Sequence, residues 1–236
     1  MKTGVVIVAA GRGERLGYDL RKAMVPLGDR PLLVHAVDRF AEARDLVAEI
    51  VLVVHDDDRE PLTRGTWSAH LAAQGVTHLV EGGARRQDSV LNGLRALSRD
   101  CEAALVHDAA RPFCSPGVVR RLVASLASSA GSIPTVPVTS TVKRITCDEI
   151  VAGTVDRREL RLAQTPQAAR REILVEALER AEREGRDVTD EAQALESAGH
   201  KVAVVEDSPW NFKITTPDDL RLAELVLERR LWEPQR

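Results

Sequence analysis

An unbroken apolar run, Val5-Val6-Ile7-Val8-Ala9-Ala10, lies near the N-terminus, and five further short apolar stretches repeat its character downstream. The six predict strands over 4–10, 49–55, 76–81, 103–107, 132–138 and 201–206. Between them, apolar positions return at helical spacing over about 31–44, 58–73, 87–99, 116–130, 170–184, 190–198 and 217–231. Val-rich runs that do not alternate with polar residues belong to strands covered on both faces, and amphipathic helices between such strands read as crossovers. The pattern predicts an α/β fold: a mostly parallel sheet with helices on both faces.

The rhythm fails over 138–165. Thr141-Val142-Lys143-Arg144-Ile145 and Ile150-Val151-Ala152 favour strands, and no helical period joins them. They read as a protruding β-hairpin arm, 138–160. A lone hairpin cannot bury a face by itself, so the arm is expected to pack on a partner subunit. Further on, Thr216-Pro217-Asp218-Asp219 signals a helix start, with a capping hydroxyl, proline in the first turn and acids at the dipole's positive end. Leu222, Leu225, Val226 and Leu231 read as its apolar face.

Composition then limits the picture. The 236 residues read as a single domain, 1–236, able to bury roughly 70–75% of its unfolded surface without a disulfide or metal staple. Aromatic residues are 3%, so the core must rest on Val, Leu, Ile and Ala. A net charge of −3 lacks the basic footprint of a nucleic-acid binder, and no nucleic-acid partner is expected. Cys101, Cys114 and Cys147 lack CxxC spacing and read as reduced thiols. The six histidines are scattered, so a zinc site built by the protein is not expected. With no leader pattern and no apolar stretch near the roughly 18 residues of a span, a cytoplasmic chain without a membrane partner is expected.

The chemistry gathers where strands end. The first run empties into Gly11-Arg12-Gly13-Glu14-Arg15-Leu16-Gly17, with Lys22 beyond. Glycines there let backbone N–H groups close on a polyanion. A tight turn needs glycine but not two cations beside it, so Arg15 and Lys22 point to phosphate. This is not a dinucleotide fingerprint: Gly17 falls one residue too late for GxGxxG, and the second strand's acids, Asp56 to Asp58, come too far along. Val106-His107-Asp108-Ala109-Ala110-Arg111-Pro112 follows the fourth strand, where open α/β sheets place ligands. Asp108 there can hold Mg²⁺; from spacing alone, Asp108 as a turn cap and Arg111 as a surface cation is slightly favoured. After the third strand, Gly82 and Gly83 permit close approach to a flat base and Ser89 offers a hydroxyl, while Arg85 and Arg86 read as a solvated helix start. Thr165 before Pro166 reads as an extended or turn residue, and Thr189 most simply as an N-cap. Lys213, with Phe212 and Ile214 directed the other way, faces either a site or water.

Together these segments resemble the 2-C-methyl-D-erythritol 4-phosphate cytidylyltransferases of the non-mevalonate isoprenoid route. The matching pieces are A-A-G-x-G-x-R with a lysine seven residues after that arginine, G-G-x-x-R-x-D-S-V, V-H-D-A-A-R-P, T-V-D-R, Q-T-P-Q, T-D-E-A and F-K-I-T-T-P-x-D-L, in family order from 5 to 220. The resemblance implies a Rossmann-like domain of the nucleotidyltransferase type and a homodimer interlocked through the arm. It implies transfer from CTP to methylerythritol phosphate, with Mg²⁺ held by Asp108 and direct attack of the substrate phosphate on the α-phosphorus. Arg15, Lys22 and Lys213 are the implied catalytic cations. Ala9, Ala10, Gly11, Gly13, Gly83, Ala84, Ser89 and Ala109 are the implied nucleotide contacts. Arg111, Thr141, Thr165 and Thr189 line the implied acceptor pocket, and Arg157 reaches from the arm into the neighbour's site.

Two departures stand out. Arg21 takes the place of a proline that family members usually carry before the loop lysine, which implies a looser loop and leaves Arg21 to share the phosphate role. Ala84 stands where some members have an acid, so that contact falls to backbone groups. The rival readings are a ribitol 5-phosphate cytidylyltransferase, disfavoured by Ala110 and by Glu191-Ala192, and a non-catalytic nucleotide-binding protein, disfavoured by the retained cations and Asp108.

Overall fold

The computed structural model describes residues 1–11, 16–17 and 20–232. In chain order its elements are β1 (Thr3–Val8), β2 (Pro26–Leu27), β3 (Arg30–Pro31), α1 (Leu32–Ala41), β4 (Val47–Val54), α2 (Arg59–Thr63), α3 (Ser68–Ala73), β5 (Val76–Glu81), α4 (Arg86–Ala96), β6 (Ala103–Asp108) and α5 (Pro116–Ser125). There follow β7 (Gly131–Pro137), β8 (Val142–Ile145), β9 (Val151–Val155), β10 (Arg161–Ala163), β11 (Gln167–Arg170), α6 (Arg171–Arg183), α7 (Glu191–Ser197), β12 (Val202–Glu206) and α8 (Pro217–Arg229). β1 lies between β4 and β6, parallel to both, and β5 extends the sheet beyond β4. On the other side β11 runs antiparallel to β6 and β7, and β12 pairs parallel with β7.

Packing explains why the apolar runs do not alternate. Val5 and Ile7 enter a core with Leu33, Val37 and Phe40 of α1 and Leu122 of α5. Val6, between them in sequence, enters a second core with Leu94 of α4 and Leu174 and Leu178 of α6. Successive side chains point to opposite faces, so a strand covered by helices on both sides must be apolar throughout. A third cluster joins Val25, Leu27 and Leu32 to Ile214 and to Leu220, Ala223 and Val226 of α8. That helix starts as expected: Thr216 Oγ1 accepts from the Asp219 N–H (3.2 Å) and Asp219 accepts from the Thr216 N–H (2.8 Å).

Three details differ from the sequence reading. The stretch 58–73 is two short helices parted at Gly65, where a Cβ would sit 2.4 Å from the Pro61 carbonyl oxygen, so the chain turns too tightly for one helix. Leu222 and Leu225 do not form the buried face of α8; both are exposed, lying about 200° round the helix from Leu220 and Ala223 respectively. The antiparallel insertion is the third: Gln167–Arg170 contains no β-branched or aromatic residue, so nothing local marks it as a strand.

At the far end of the sheet from the strand-end glycines, Glu49 is buried. Burial alone would raise its carboxyl, but donors from Cys101 Sγ (3.1 Å), the Ser98 N–H (2.6 Å), Ser98 Oγ (3.1 Å) and Thr77 Oγ1 (3.3 Å) hold it below its ordinary value of 4.5. A depressed carboxyl contributes stability above its unfolded pKa and loses it as pH falls through the folded value. Glu49→Gln is therefore expected to be less stable than the parent at neutral pH, with the gap closing between about pH 5 and 3. Urea midpoints across that range test it, and a pH-independent gap would show that the hydrogen bonds do not favour the ionised form.

Candidate active site

The carboxyl ends of β1 and β6 and the turn after β5 enclose a cavity of about 550 Å³. Its floor is backbone. The Ala9 N–H donates to the Val53 carbonyl (2.7 Å) and the Ala109 N–H to the Val8 carbonyl (3.1 Å), so the segments leaving β1 and β6 stay tied to the sheet. The Gly83 N–H donates to Ser89 Oγ (3.0 Å), closing the turn into α4. Gly82 and Gly83 are sterically required: a Cβ on Gly82 would meet Ala10 Cβ at 2.3 Å, and one on Gly83 would meet Asp88 Cβ at 2.4 Å. Of the residues singled out from sequence, Ala9, Ala10, Gly11, Gly83, Ala84, Ser89 and Ala109 line this space.

Its charged wall centres on Asp108, the last residue of β6 and the one carboxylate among the described lining residues. Lys213 Nζ donates to Oδ2 (2.8 Å), and the Arg86 guanidinium donates to Oδ1 from Nη2 (3.2 Å) and Nε (3.3 Å). Arg111 Nε lies 4.0 Å from Oδ2. Burial alone would raise the Asp108 carboxyl; Arg86, Lys213 and Arg111 outweigh it and hold the group ionised, far below the usual carboxylate range. Lys213 is partly exposed while Ile214 beside it is fully buried, which settles its direction: it faces the cavity. Lys22 joins the wall from the turn Lys22–Met24.

Arg86 is the residue that sequence reading misplaced. It is not a solvated helix start. Its guanidinium bridges Asp108 and the buried Glu191, donating from Nη1 to Glu191 Oε1 (2.7 Å) and from Nη2 to Oε2 (3.3 Å). Helical position predicts exposure for a first-turn arginine; only the arrival of Glu191, at the start of α7, and of Asp108 gives it partners. Arg85 pairs with Asp88 (2.6 Å) and Asp187 (3.0 Å). Arg21, on the cavity wall, holds φ at −62°, the value a proline ring would impose, and pairs with Asp57 (2.8 Å) and Asp58 (3.6 Å).

The remaining expectations separate. Gly13 and Arg15 lie outside the described residues. Arg111 stands behind the cavity wall, partly buried, with Nη1 donating to the Asn211 carbonyl (2.8 Å). Thr165 is buried beneath the same carboxylate, its Oγ1 accepting from the Asp108 N–H (3.1 Å). Thr189 is exposed and does not cap α7; Asp190 does, accepting from the Gln193 N–H (2.9 Å). Thr141 and Arg157 belong to the arm, where β8 and β9 pair antiparallel. Thr141 is exposed, and Arg157 donates to the Thr139 carbonyl. On the arm, Ile145, Ile150 and Val151 are exposed apolar side chains. Among the described residues no group of three or more His, Cys, Asp or Glu side chains is placed to hold a metal by itself, and no helix is long and apolar enough to cross a membrane.

The arrangement of a glycine floor, a ring of cations and one ionised carboxylate suits a polyphosphate, and comparison with known proteins gives it a family. The family model described as IspD, 2-C-methyl-D-erythritol 4-phosphate cytidylyltransferase, matches residues 3–229. A 2-C-methyl-D-erythritol 4-phosphate cytidylyltransferase from Alkaliphilus oremlandii is 38% identical over 97% of this chain and 96% of its own length. One from Cereibacter sphaeroides is 42% identical over 96% of this chain and 97% of its own. The crystal structure of the Thermus thermophilus protein of that name is similar with a TM-score of 0.79 at 35% identity, covering 97% of this chain and all of that one. On these matches, which run through every segment of the site, the chain belongs to the 2-C-methyl-D-erythritol 4-phosphate cytidylyltransferase family.

Proposed function

We propose that this chain joins CTP to 2-C-methyl-D-erythritol 4-phosphate, giving 4-diphosphocytidyl-2-C-methyl-D-erythritol and pyrophosphate. An oxygen of the acceptor phosphate attacks the α-phosphorus, a new P–O bond forms, and the bond to the bridging oxygen breaks with its electron pair leaving on pyrophosphate. Both reactants are polyanions, so the protein's task is to hold them in line and offset their charge. The observation that carries the reading is one cavity whose wall sets Arg86 and Lys213 on Asp108 and adds Lys22, above a floor of backbone from Ala9 to Gly11 and at Gly83. In this reading Lys22 and Lys213, with Arg15, stabilise charge on the α-phosphate, and Ala84, Ser89 and Ala109 border the base and ribose.

Asp108 suits a magnesium ion on chemical grounds. It is ionised and faces the cavity, and Mg²⁺ ordinarily takes one or two carboxylates plus substrate phosphate oxygens rather than an all-protein cage. When bound, the ion neutralises phosphate charge and orients the triphosphate. The test is pyrophosphate release from CTP with a panel of polyol phosphates. Methylerythritol phosphate is expected to be the preferred acceptor; preference for ribitol 5-phosphate, or CTP binding without turnover, would overturn the assignment.

The same reading makes 1–236 one nucleotidyltransferase domain whose arm, 138–160, pairs two copies in a homodimer. The exposed Ile145, Ile150 and Val151 are the apolar surface such pairing would cover. Arg157 then serves the acceptor side from the partner, in a pocket lined by Arg111, Thr141, Thr165 and Thr189. Soluble, charged substrates fit a cytoplasmic setting. Arg157→Glu is expected to raise the acceptor KM about 10–100-fold, the worth of a charged hydrogen bond reversed, with CTP affinity unchanged. A wild-type acceptor KM would remove Arg157 from the site.

A further inference from the structure

Arg86 reaches two carboxylates at once, and the geometry divides the oxygens of Asp108 unequally. Oδ1 receives both Arg86 contacts, at 3.2 and 3.3 Å, while Oδ2 receives only Lys213 at 2.8 Å and the distant Arg111 at 4.0 Å. A guanidinium facing a lone carboxylate normally engages both oxygens in a fork. Here Glu191, 2% exposed at the start of α7, takes Nη1 at 2.7 Å and shares Nη2 at 3.3 Å, so the fork is turned onto Glu191 instead. Glu191 is itself fixed from its own segment: the neighbouring Ala192 N–H donates to Gln167 Oε1 (2.9 Å), and Gln167 Nε2 donates to Asp190 Oδ2 (3.0 Å). Lys213 is the movable contact, a single ammonium on a partly exposed stem that a phosphate can draw away.

We propose that Glu191 is a positioning residue: it holds Arg86 side-on so that Asp108 keeps Oδ2 for a divalent cation. This rests on the reading of Asp108 as the metal-holding carboxylate. Without the Glu191 charge, Arg86 rotates onto Asp108 and competes with the ion for both oxygens. Partners of this kind alter metal affinity about 10–100-fold.

The experiment titrates Mn²⁺ into protein saturated with CTP, following free Mn²⁺ by its paramagnetic resonance, with CTP affinity measured separately in EDTA. Glu191→Gln is expected to weaken Mn²⁺ binding about tenfold or more while metal-free CTP affinity holds or rises. Arg86→Met combined with Glu191→Met removes both buried charges and is expected to recover most of the lost Mn²⁺ affinity, which a purely structural role would not do. The double variant also answers the question if Glu191→Gln proves insoluble: a doubly substituted protein that binds Mn²⁺ as weakly as Asp108→Asn would overturn the inference, as would wild-type affinity in Glu191→Gln. Wild-type Mn²⁺ binding by Asp108→Asn would instead sink the metal reading of Asp108.

Discussion

Lys213→Ala is expected to lower turnover about 10²–10³-fold while barely moving the unfolding midpoint. A cation set against charge that builds in the transition state is worth roughly 3–4 kcal/mol when removed. Lys213 meets that description in the proposed reaction, because its Nζ reaches the cavity beside Asp108 and its stem is free to follow the phosphate. Stability is a separate matter. The side chain is 40% exposed, and Asp108 keeps Arg86 at 3.2 Å after the substitution, so no buried charge is stranded. The folding cost is then that of a partly exposed pair, about 1 kcal/mol or less. Steady-state kinetics with both substrates, alongside a thermal melt, checks both halves. Near-normal kcat would strip Lys213 of its role.

Arg86→Ala is expected to do the reverse of that separation, losing stability and activity together. The substitution leaves Glu191 buried without its guanidinium and takes from Asp108 its two-contact partner. Breaking a buried ion pair from one side costs about 3–5 kcal/mol, since the remaining charge stays desolvated. For a chain of this size that lowers the melting temperature by roughly 6–20 °C. Arg86→Lys is expected to recover only part of the loss, because a compact ammonium can replace the Nη2 contacts but not also the Nη1 bond to Glu191 and the Nε bond to Asp108. A melt of the alanine variant within about 2 °C of the parent would mean that water already solvates Glu191.

Legibility in the sequence followed locality. The strand-end glycines were legible as a residue type, yet their reasons differ: a Cβ on Gly82 or Gly83 would strike the protein's own Ala10 or Asp88, whereas one on Gly11 would meet nothing within 4 Å. The Thr216–Asp219 cap was equally legible, its bonds spanning three residues. Arg86 and Glu191 were not: they lie 105 residues apart, and neither position is unusual until the other arrives. The exposed Leu222 and Leu225 teach the same point, since apolar residues at plausible spacing fit more than one helix face.

By itself the sequence determined the layered sheet, the glycine-bearing strand ends and the kinds of group available for phosphate chemistry, because hydrophobic period and glycine sterics act over a few residues. Only the tertiary structure decided how those groups divide their partners: that Asp108 is clamped between Arg86 and Lys213, that Arg111 and Thr165 stand behind it, and that an antiparallel strand separates β6 from β7. The physical reason is that burial and ion pairing belong to the meeting of distant segments. A side chain's charge is written in its own codon, but what surrounds that charge is supplied by the rest of the chain.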